Sequence, residues 1–174
     1  MPIRNLILDR DGVINEIVMR DGVVSSPRDM LEFRLLDEFV RFHVEAAKQR
    51  LKMFVVSNQP DVSRRLLPDD VLEAMTDQLK TFSFGEIVYC RHDDQHQCLC
   101  RKPKPGMILD ILQKHALNAD ETVMVGDSRK DVLAGQAAGI RTIYVRRAYN
   151  GTLNCAPDFI VDSLDEILGI ITSM

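Results

Sequence analysis

Short apolar runs alternate with longer segments of helical periodicity along most of the chain. The runs are too short for helices and lie at 5–8, 52–56, 86–89, 122–125, 142–145 and 158–161. Between them, apolar residues recur at the three- and four-residue spacing of amphipathic helices. This alternation is typical of βαβ units, so we predict an α/β, Rossmann-like domain with a mainly parallel central sheet flanked by helices.

Five helices are predicted between and after these strands. The first presents one apolar face: Leu36, Phe39, Val40, His43 and Ala47. The others begin near Pro68, near 105, at 129 and near Ser163. Gly139 follows the fourth in the position of a left-handed C-terminal residue. Ser163 and Glu166 have the capping-box spacing, which indicates where the last helix starts.

Composition narrows the class of protein. The 174 residues are 45% hydrophobic and 28% charged, with a net charge of −4. Because this sequence contains neither linkers nor repeats, we predict a single domain over 1–174. The negative charge argues against general nucleic-acid or membrane binding. The sequence has no membrane-spanning apolar stretch and no signal-peptide pattern, so we expect a cytoplasmic protein, monomeric by default.

Two acidic residues follow the first apolar run directly. Leu8 precedes Asp9, Arg10 and Asp11, and side chains one alternation apart on an extended chain point the same way. Two such carboxylates repel each other unless a cation or a shared proton holds them. Gly12 frees backbone amides to curl around an anion. The plainer interpretation is a solvated acidic loop, but the abrupt junction with a buried run argues against it.

Two other apolar runs also end in polar residues, and cations precede the third predicted helix. These polar and charged residues are Ser57, Asn58, Gln59, Arg101, Lys102, Lys104, Asp127, Ser128 and Asp131. If the sheet is parallel, its carboxyl edge collects these residues, and open α/β sheets bind ligands there. The irregular segments 17–34 and 90–104 follow strands at the same edge and are the predicted substrate loops. Together the groups offer acids for a hard cation, a hydroxyl and amides for an oxyanion, and fixed cations for a phosphoryl group.

Phosphoryl transfer to a carboxylate and then to water suits this set. Asp9 would attack phosphorus and form an aspartyl-phosphate. Mg²⁺ held by Asp9 and Asp127 would offset the repulsion between two anions. Asp11 would protonate the leaving oxygen and then activate water, while Ser57 and Lys102 bind phosphoryl oxygens.

Four ordered segments resemble the motifs of the haloacid dehalogenase superfamily of phosphohydrolases. They are DRDGVIN at Asp9, VVSNQ with Ser57, CRKPKPG with Lys102, and GDSRKD beginning at Gly126. The resemblance implies that Asp9 is the nucleophile, that Asp11 is the acid/base, and that Asp127 binds Mg²⁺. It also implies that Asp11 gives the metal its backbone carbonyl and keeps its carboxylate free. Asp131 has three possible roles: reaching the metal through water, orienting Lys102, or serving only as a polar residue of the helix.

Three of the four cysteines crowd into one segment. Cys90 and His92 form one pair and Cys98 and Cys100 another, and His96 competes with His92 as the imidazole ligand. Three thiolates and one imidazole make a closed tetrahedral set, which is typical of structural zinc. We call the predicted zinc-pinned segment at about 90–104 the cysteine loop.

The segment YCRHDDQHQCLCRKPKPGM resembles the zinc-loop subgroup of the superfamily, which includes heptose-bisphosphate and histidinol-phosphate phosphatases. The resemblance implies a structural Zn²⁺ and a substrate contact from Arg101. The ligands that it implies are Cys90, His92, Cys98 and Cys100.

Neither the segment between Gly12 and Arg34 nor the segment after Asn58 is long enough to contain a cap domain, so loops must recognise the substrate. Gly12, Asn58, Gln59 and Arg101 are the predicted binding residues. Further cations near the predicted edge are Arg20, Arg28, Arg64 and Arg65, which suggest a second anionic group such as that of a sugar bisphosphate. We therefore expect a Mg²⁺-dependent phosphatase of a small phosphorylated metabolite.

A heptose bisphosphate is the first expected substrate, and histidinol phosphate or another sugar phosphate is the alternative. A phosphoreceiver-like signalling module and a zinc scaffold are the alternatives that are not enzymes.

Overall fold

The computed structural model describes residues 2–173. The strands are β1 (Asn5–Leu8), β2 (Val18–Arg20), β3 (Val23–Ser25), β4 (Lys52–Asn58), β5 (Phe84–Cys90), β6 (Thr122–Gly126), β7 (Arg141–Val145) and β8 (Phe159–Val161). The α-helices are α1 (Asp37–Lys48), α2 (Pro60–Ser63), α3 (Asp69–Leu79), α4 (Gly106–Lys114), α5 (Arg129–Ala137) and α6 (Ile167–Thr172). Short 3₁₀ turns lie at Asp94–His96, Ala119–Glu121 and Leu164–Glu166.

Six strands form one parallel sheet in the order β5-β4-β1-β6-β7-β8. The central strand β1 is buried throughout, and Leu8 pairs with Val55 of β4 and Val125 of β6. The carboxyl ends of these three strands therefore meet at one edge. The remaining strands β2 and β3 form a separate antiparallel hairpin.

Two apolar layers cover the sheet, because alternate residues of each strand face opposite sides. Leu6 and Leu8 pack in the layer that contains Phe39 of α1 and Leu72 of α3. On the other side, Ile7 packs in the layer that includes Ile108 of α4. Continuous burial on both sides explains why the central strands have apolar runs with no polar alternation.

The predicted fold class is confirmed: a parallel α/β sheet with helices on both faces and no separate cap domain. The first helix has a different buried face from the predicted one, because Phe42 and Ala46 are buried while Val40 and Ala47 are exposed. Neither the β2–β3 hairpin nor the short α2 was predicted. Among the described residues, no helix has the length and hydrophobicity to cross a membrane.

Candidate active site

A cleft of about 560 Å³ opens at the carboxyl edge of the sheet. Its walls include Asp9, Asp11, Ser57, Asn58, Arg101, Lys102, Asp127 and Asp131. Gly12 and Gln59 do not line the cleft. Gly12 packs against Asp127, and Gln59 donates to Asp11 and Ser57. Sequence positions separated by more than a hundred residues are thus brought to one place.

Three carboxylates form the floor of the cleft. Oxygens of Asp9, Asp127 and Asp131 lie within 4.8 Å of one another, and we call this set the carboxylate cluster. Lys102 lies among them, with its Nζ 2.8 Å from Oδ1 of Asp9 and 2.6 Å from Oδ1 of Asp131. Lys102 also donates to the carbonyl of Val56 at 2.9 Å. Asp131 thus contacts Lys102, which was one of its three predicted roles.

Burial makes this cluster electrostatically costly. Burial, and then the charge of Asp131, raise the pKa of Asp9 well above its usual range. The same two causes, in the same order, raise the pKa of Asp127 to about 7. Burial lowers the pKa of Lys102, but Asp131 and Asp9 outweigh it and raise that pKa. Since one lysine cannot neutralise three carboxylates, the donor set fits a hard divalent cation such as Mg²⁺.

Asp11 lies outside the carboxylate cluster and is held by a buried network of donors. The guanidinium of Arg10 donates to Oδ1 of Asp11 at 3.1 and 3.0 Å. Asn15 adds a bond to Oδ1 at 2.9 Å, and Ser26 and Gln59 donate to Oδ2 at 2.9 and 2.8 Å. Although burial opposes it, these groups, Arg10 first, hold the pKa of Asp11 below its usual range. Asp11 is therefore an oriented carboxylate that these donors stabilise in its ionised form.

Arg10 is a residue that sequence reasoning missed. Its side chain is completely buried. The guanidinium carbon is 5.5 Å from the ring centroid of Phe33 and 5.6 Å from that of Tyr89. Stacking between aromatic rings and a bidentate carboxylate contact are features that favour arginine over lysine. Arg10 thus links Asp11 to the core.

Hydrogen bonds hold the residues at the carboxyl end of β4, Ser57 to Gln59. Gln59 donates to the hydroxyl of Ser57 at 2.9 Å, so the proton of that hydroxyl can go to another acceptor. Asn58 donates to the carbonyl of Lys102 at 2.9 Å and accepts from its backbone N–H at 3.0 Å. Asn58 and Gln59 thus hold Lys102, Asp11 and Ser57 in place, and their predicted contact with substrate stays a prediction.

Two glycines permit close approach in the first and fourth motifs. Gly12 has φ +85°, and a Cβ there would lie 2.3 Å from both Oδ2 of Asp127 and the hydroxyl of Tyr149. At Gly126 a Cβ would lie 2.2 Å from Cβ of Asp131. A side chain at either position would displace a member of the carboxylate cluster.

The cysteine loop brings together the four predicted zinc ligands. Sγ of Cys90 lies 3.6 Å from Cys98 and 3.3 Å from Cys100, and Nδ1 of His92 lies 3.3 Å from Cys100. A tetrahedral ion with Zn–S bonds of about 2.3 Å places its sulfurs about 3.8 Å apart, so the set fits Zn²⁺. The competing His96 instead accepts from the backbone N–H of Asp93 at 3.0 Å.

The thiols of the cysteine loop differ in acidity. All four cysteines are free. Against the opposing effect of burial, hydrogen bonds from Cys100 and Cys90 lower the pKa of Cys98 to about 6. Burial, with a hydrogen bond from Cys100, raises the pKa of Cys90 to about 12. Cys98 is therefore the thiol prepared to bind a cation as thiolate at neutral pH.

Arg101 joins the cysteine loop to the cleft. It is only 9% exposed and lies next to Cys100 in the chain. Its Nε donates to Asp94 at 2.7 Å, and its Nη1 donates to the carbonyl of His92 at 3.3 Å. The conformation of the loop thus determines where this cation lies.

The other predicted cations are mostly paired with acids. Arg20 pairs with Glu32, and Arg28 pairs with Asp61 at 2.8 Å. Neither of these two arginines lines the cleft. Arg64 does line it and is bound to Asp93 at 2.6 and 2.7 Å. Arg65 is exposed and has φ +58°. Two cleft cations that were not predicted, Arg129 and Lys130, lie at the start of α5.

Comparison with known proteins finds hydrolases and phosphatases that are similar to this chain in sequence. A family model described as HAD-hydrolase-like matches residues 99–167. The D-glycero-beta-D-manno-heptose-1,7-bisphosphate 7-phosphatase of Helicobacter pylori is 32% identical over 143 residues, covering 78% of this chain and 79% of that protein. The protein of the same name from Neisseria meningitidis is 36% identical over 140 residues, covering 77% of this chain and 72% of that protein.

Solved structures agree on the fold. The D,D-heptose 1,7-bisphosphate phosphatase from B. bronchiseptica, complexed with magnesium and phosphate, superposes with a TM-score of 0.81 at 24% identity. The match covers 98% of this chain and 99% of that one. The corresponding phosphatase from Burkholderia thailandensis gives a TM-score of 0.67 at 22% identity, covering 98% and 99%.

The chain belongs to the haloacid dehalogenase-like hydrolases, as its motif order predicts. Within that family it is a phosphatase.

Proposed function

We propose that this phosphatase removes the 7-phosphate of D-glycero-β-D-manno-heptose 1,7-bisphosphate with the help of Mg²⁺. The contact between Lys102 and Asp9 inside the carboxylate cluster carries the catalytic part of the proposal. The substrate is taken from the relatives' name, which is the same in both relatives described above. The comparisons favour neither histidinol phosphate nor a signalling role.

In the first step, a carboxylate oxygen of Asp9 forms a bond to phosphorus while the bond from phosphorus to the sugar oxygen breaks. Lys102 and the hydroxyl of Ser57 bind phosphoryl oxygens and stabilise the charge that develops on them. Asp11 gives a proton to the leaving sugar oxygen. Asp11 must carry this proton before the step, and the negative charge of the bound phosphate favours that protonation, since it raises the pKa of Asp11 from its lowered value.

In the second step, Asp11 takes a proton from water. The resulting hydroxide attacks phosphorus, and the bond to the Asp9 oxygen breaks, which regenerates the carboxylate. The network of Arg10, Asn15, Ser26 and Gln59 keeps Asp11 oriented for both transfers.

Residues of the carboxylate cluster would hold the Mg²⁺ ion. Asp9 and Asp127 are the proposed side-chain ligands, and the backbone carbonyl of Asp11 is the third ligand. When bound, Mg²⁺ neutralises the phosphate and so permits the approach of an anionic nucleophile. In the cysteine loop, Cys90, His92, Cys98 and Cys100 would bind a structural Zn²⁺, and four free cysteines support a cytoplasmic location.

Phosphate release across a panel of substrates tests the proposal. The panel contains both anomers of the heptose bisphosphate, histidinol phosphate and common sugar monophosphates, each with Mg²⁺ or with EDTA. We expect the β anomer to give the highest kcat/KM and EDTA to abolish release. Asp9→Asn should lose all measurable turnover, while Asp165→Asn, on the exposed surface, should match the wild type. Turnover by Asp9→Asn would contradict the mechanism, and a better monophosphate substrate would contradict the substrate assignment.

A further inference from the structure

The segment after β7 contacts both the first and the fourth motif. Arg147 donates from Nε to the carbonyl of Gly12 at 2.9 Å. The hydroxyl of Tyr149 donates to Oδ2 of Asp127 at 2.6 Å, and Asn150 donates to the backbone carbonyl of Asp127 at 2.6 Å. Three neighbouring residues thus tie Asp127 to the loop at Gly12.

The hydroxyl of Tyr149 lies where a side chain at position 12 would be, so its position requires a glycine there. Its oxygen and Oδ2 of Asp127 both lie 2.3 Å from the place of a Cβ on Gly12. The ring is partly buried and lines a smaller cavity of about 250 Å³ beside the main cleft. Tyr149 therefore reaches Oδ2 of Asp127 beside Gly12, from a position that does not line the main cleft.

A carboxylate has two oxygens, and the hydrogen bond determines which one remains for a cation. With Oδ2 bound by a phenol, Oδ1 is the oxygen left for the metal. Metal-binding side chains commonly depend on such a second hydrogen bond for their orientation, and its loss typically costs about 10- to 100-fold in metal affinity or activity.

We propose that Tyr149 is a positioning residue that fixes Asp127 so that its Oδ1 is presented to Mg²⁺. This inference rests on the proposed function, since it needs Asp127 to bind the metal. Tyr149 does not line the main cleft, so we expect its effect to fall on metal affinity. At saturating Mg²⁺ the chemical steps proceed as before.

The test measures Mg²⁺ binding directly, by calorimetry on the full chain without substrate. Tyr149→Phe removes one oxygen and keeps the ring, and we expect its Kd for Mg²⁺ to rise about tenfold. We also expect kcat at saturating Mg²⁺ to stay within about twofold of the wild-type value. Arg146→Gln is the control, because it changes the same segment at an exposed side chain that pairs with Asp162 and leaves the bond from Tyr149 to Asp127 intact.

Asp127→Asn separates failure of the inference from failure of the proposed function. If Asp127→Asn loses Mg²⁺ binding while Tyr149→Phe binds like the wild type, Tyr149 has no positioning role and the metal site stands. If Asp127→Asn binds Mg²⁺ normally, the proposed metal site is wrong and the inference fails with it. Equal weakening by Tyr149→Phe and Arg146→Gln would overturn the inference too, since a general disturbance of the segment would explain it. A thermal unfolding curve for each variant shows that it is folded.

Discussion

The carboxylate cluster and the cysteine loop hold their functional groups in opposite ways. Asp9, Asp127 and Asp131 are 9%, 5% and 1% exposed. Asp9 and Asp127 follow directly from the central strands β1 and β6, and Asp131 lies in the first turn of α5. The cysteine loop has no strand of its own beyond Cys90 and only a single 3₁₀ turn. Its proposed ligand His92 is exposed. The core thus positions the first set, whereas surface ion pairs such as Arg64 with Asp93 and Arg101 with Asp94 hold the second.

This difference indicates what each metal would contribute. The carboxylate cluster is rigid and carries excess charge, so a cation there relieves repulsion and serves the chemistry. The cysteine loop is irregular over about fifteen residues, so a cation there supplies the missing rigidity. Since Arg101 and Lys102 follow the last cysteine directly, the second site is expected to affect the first.

The largest effect is expected from Lys102→Met, which removes the one cation that, within residues 2–173, directly contacts both Asp9 and Asp131. We expect kcat to fall about a thousandfold, because the phosphoryl charge loses a preorganised partner. Steady-state kinetics at saturating Mg²⁺ measures this change.

Lys104→Met is the matched control, since Lys104 donates only to carbonyls of the cysteine loop, at 3.1 and 2.7 Å. Its activity should stay within about threefold of the wild-type value. If the two variants lost activity equally, the distinction between the two regions would be wrong.

A smaller effect is expected from Cys98→Ser, which removes one ligand of the cysteine loop. Zinc content measured by atomic emission should fall from about one ion per chain to near zero. We expect kcat/KM to fall about 10- to 100-fold, because Arg101 is no longer held toward the cleft.

Cys155→Ser is the control, because Cys155 lies outside the metal cluster. It should keep both zinc and activity. Full activity in a zinc-free Cys98→Ser protein would show that the loop positions Arg101 without a metal.

Much of both regions could be predicted from the sequence, because each leaves a local pattern. Asp9 and Asp127 end apolar runs abruptly, and the fold then brings those ends together. The Cys and His pairs are recognisable from spacing alone, and the structure separates His92 from His96 by a capping hydrogen bond.

The residues that were missed depend on contacts distant in the chain. Arg10 lies between two acids and has no local sign of burial, since its partners Phe33 and Tyr89 come from other elements. Tyr149 reaches Asp127 from an irregular segment that has no periodicity. The exposed Val40 and the buried Phe42 differ by only half a turn of helix, and apolar side chains occupy both positions, so pattern alone could not orient α1.

A change at Arg10 tests whether this buried side chain orients Asp11, the proposed acid/base. Arg10→Lys keeps the charge but loses the planar fork and the stacking between rings. We expect kcat/KM to fall about tenfold. The basic limb of its kcat/KM profile, which reports loss of the proton that Asp11 donates in the first step, should move to higher pH, since Arg10 lowers the pKa of Asp11. Arg4→Lys, at an exposed position, should change neither quantity. An equal loss at every pH would mean that Arg10 acts only through packing.

The smallest effect concerns the pH dependence of the proposed Mg²⁺ site. Burial and Asp131 raise the pKa of Asp127 to about 7, and a ligand must be ionised to bind a metal. Mg²⁺ affinity should therefore rise about fourfold between pH 6.5 and pH 8, as measured by calorimetry.

The metal-free protein should show the reverse trend in stability. Because the folded-state pKa lies above the unfolded value of 3.8, stability falls as pH rises from about 4 to about 7 and then levels off. Added Mg²⁺ should raise the Tm more at pH 8 than at pH 6.5. A Mg²⁺ affinity that is independent of pH would mean that Asp127 is already ionised throughout this range.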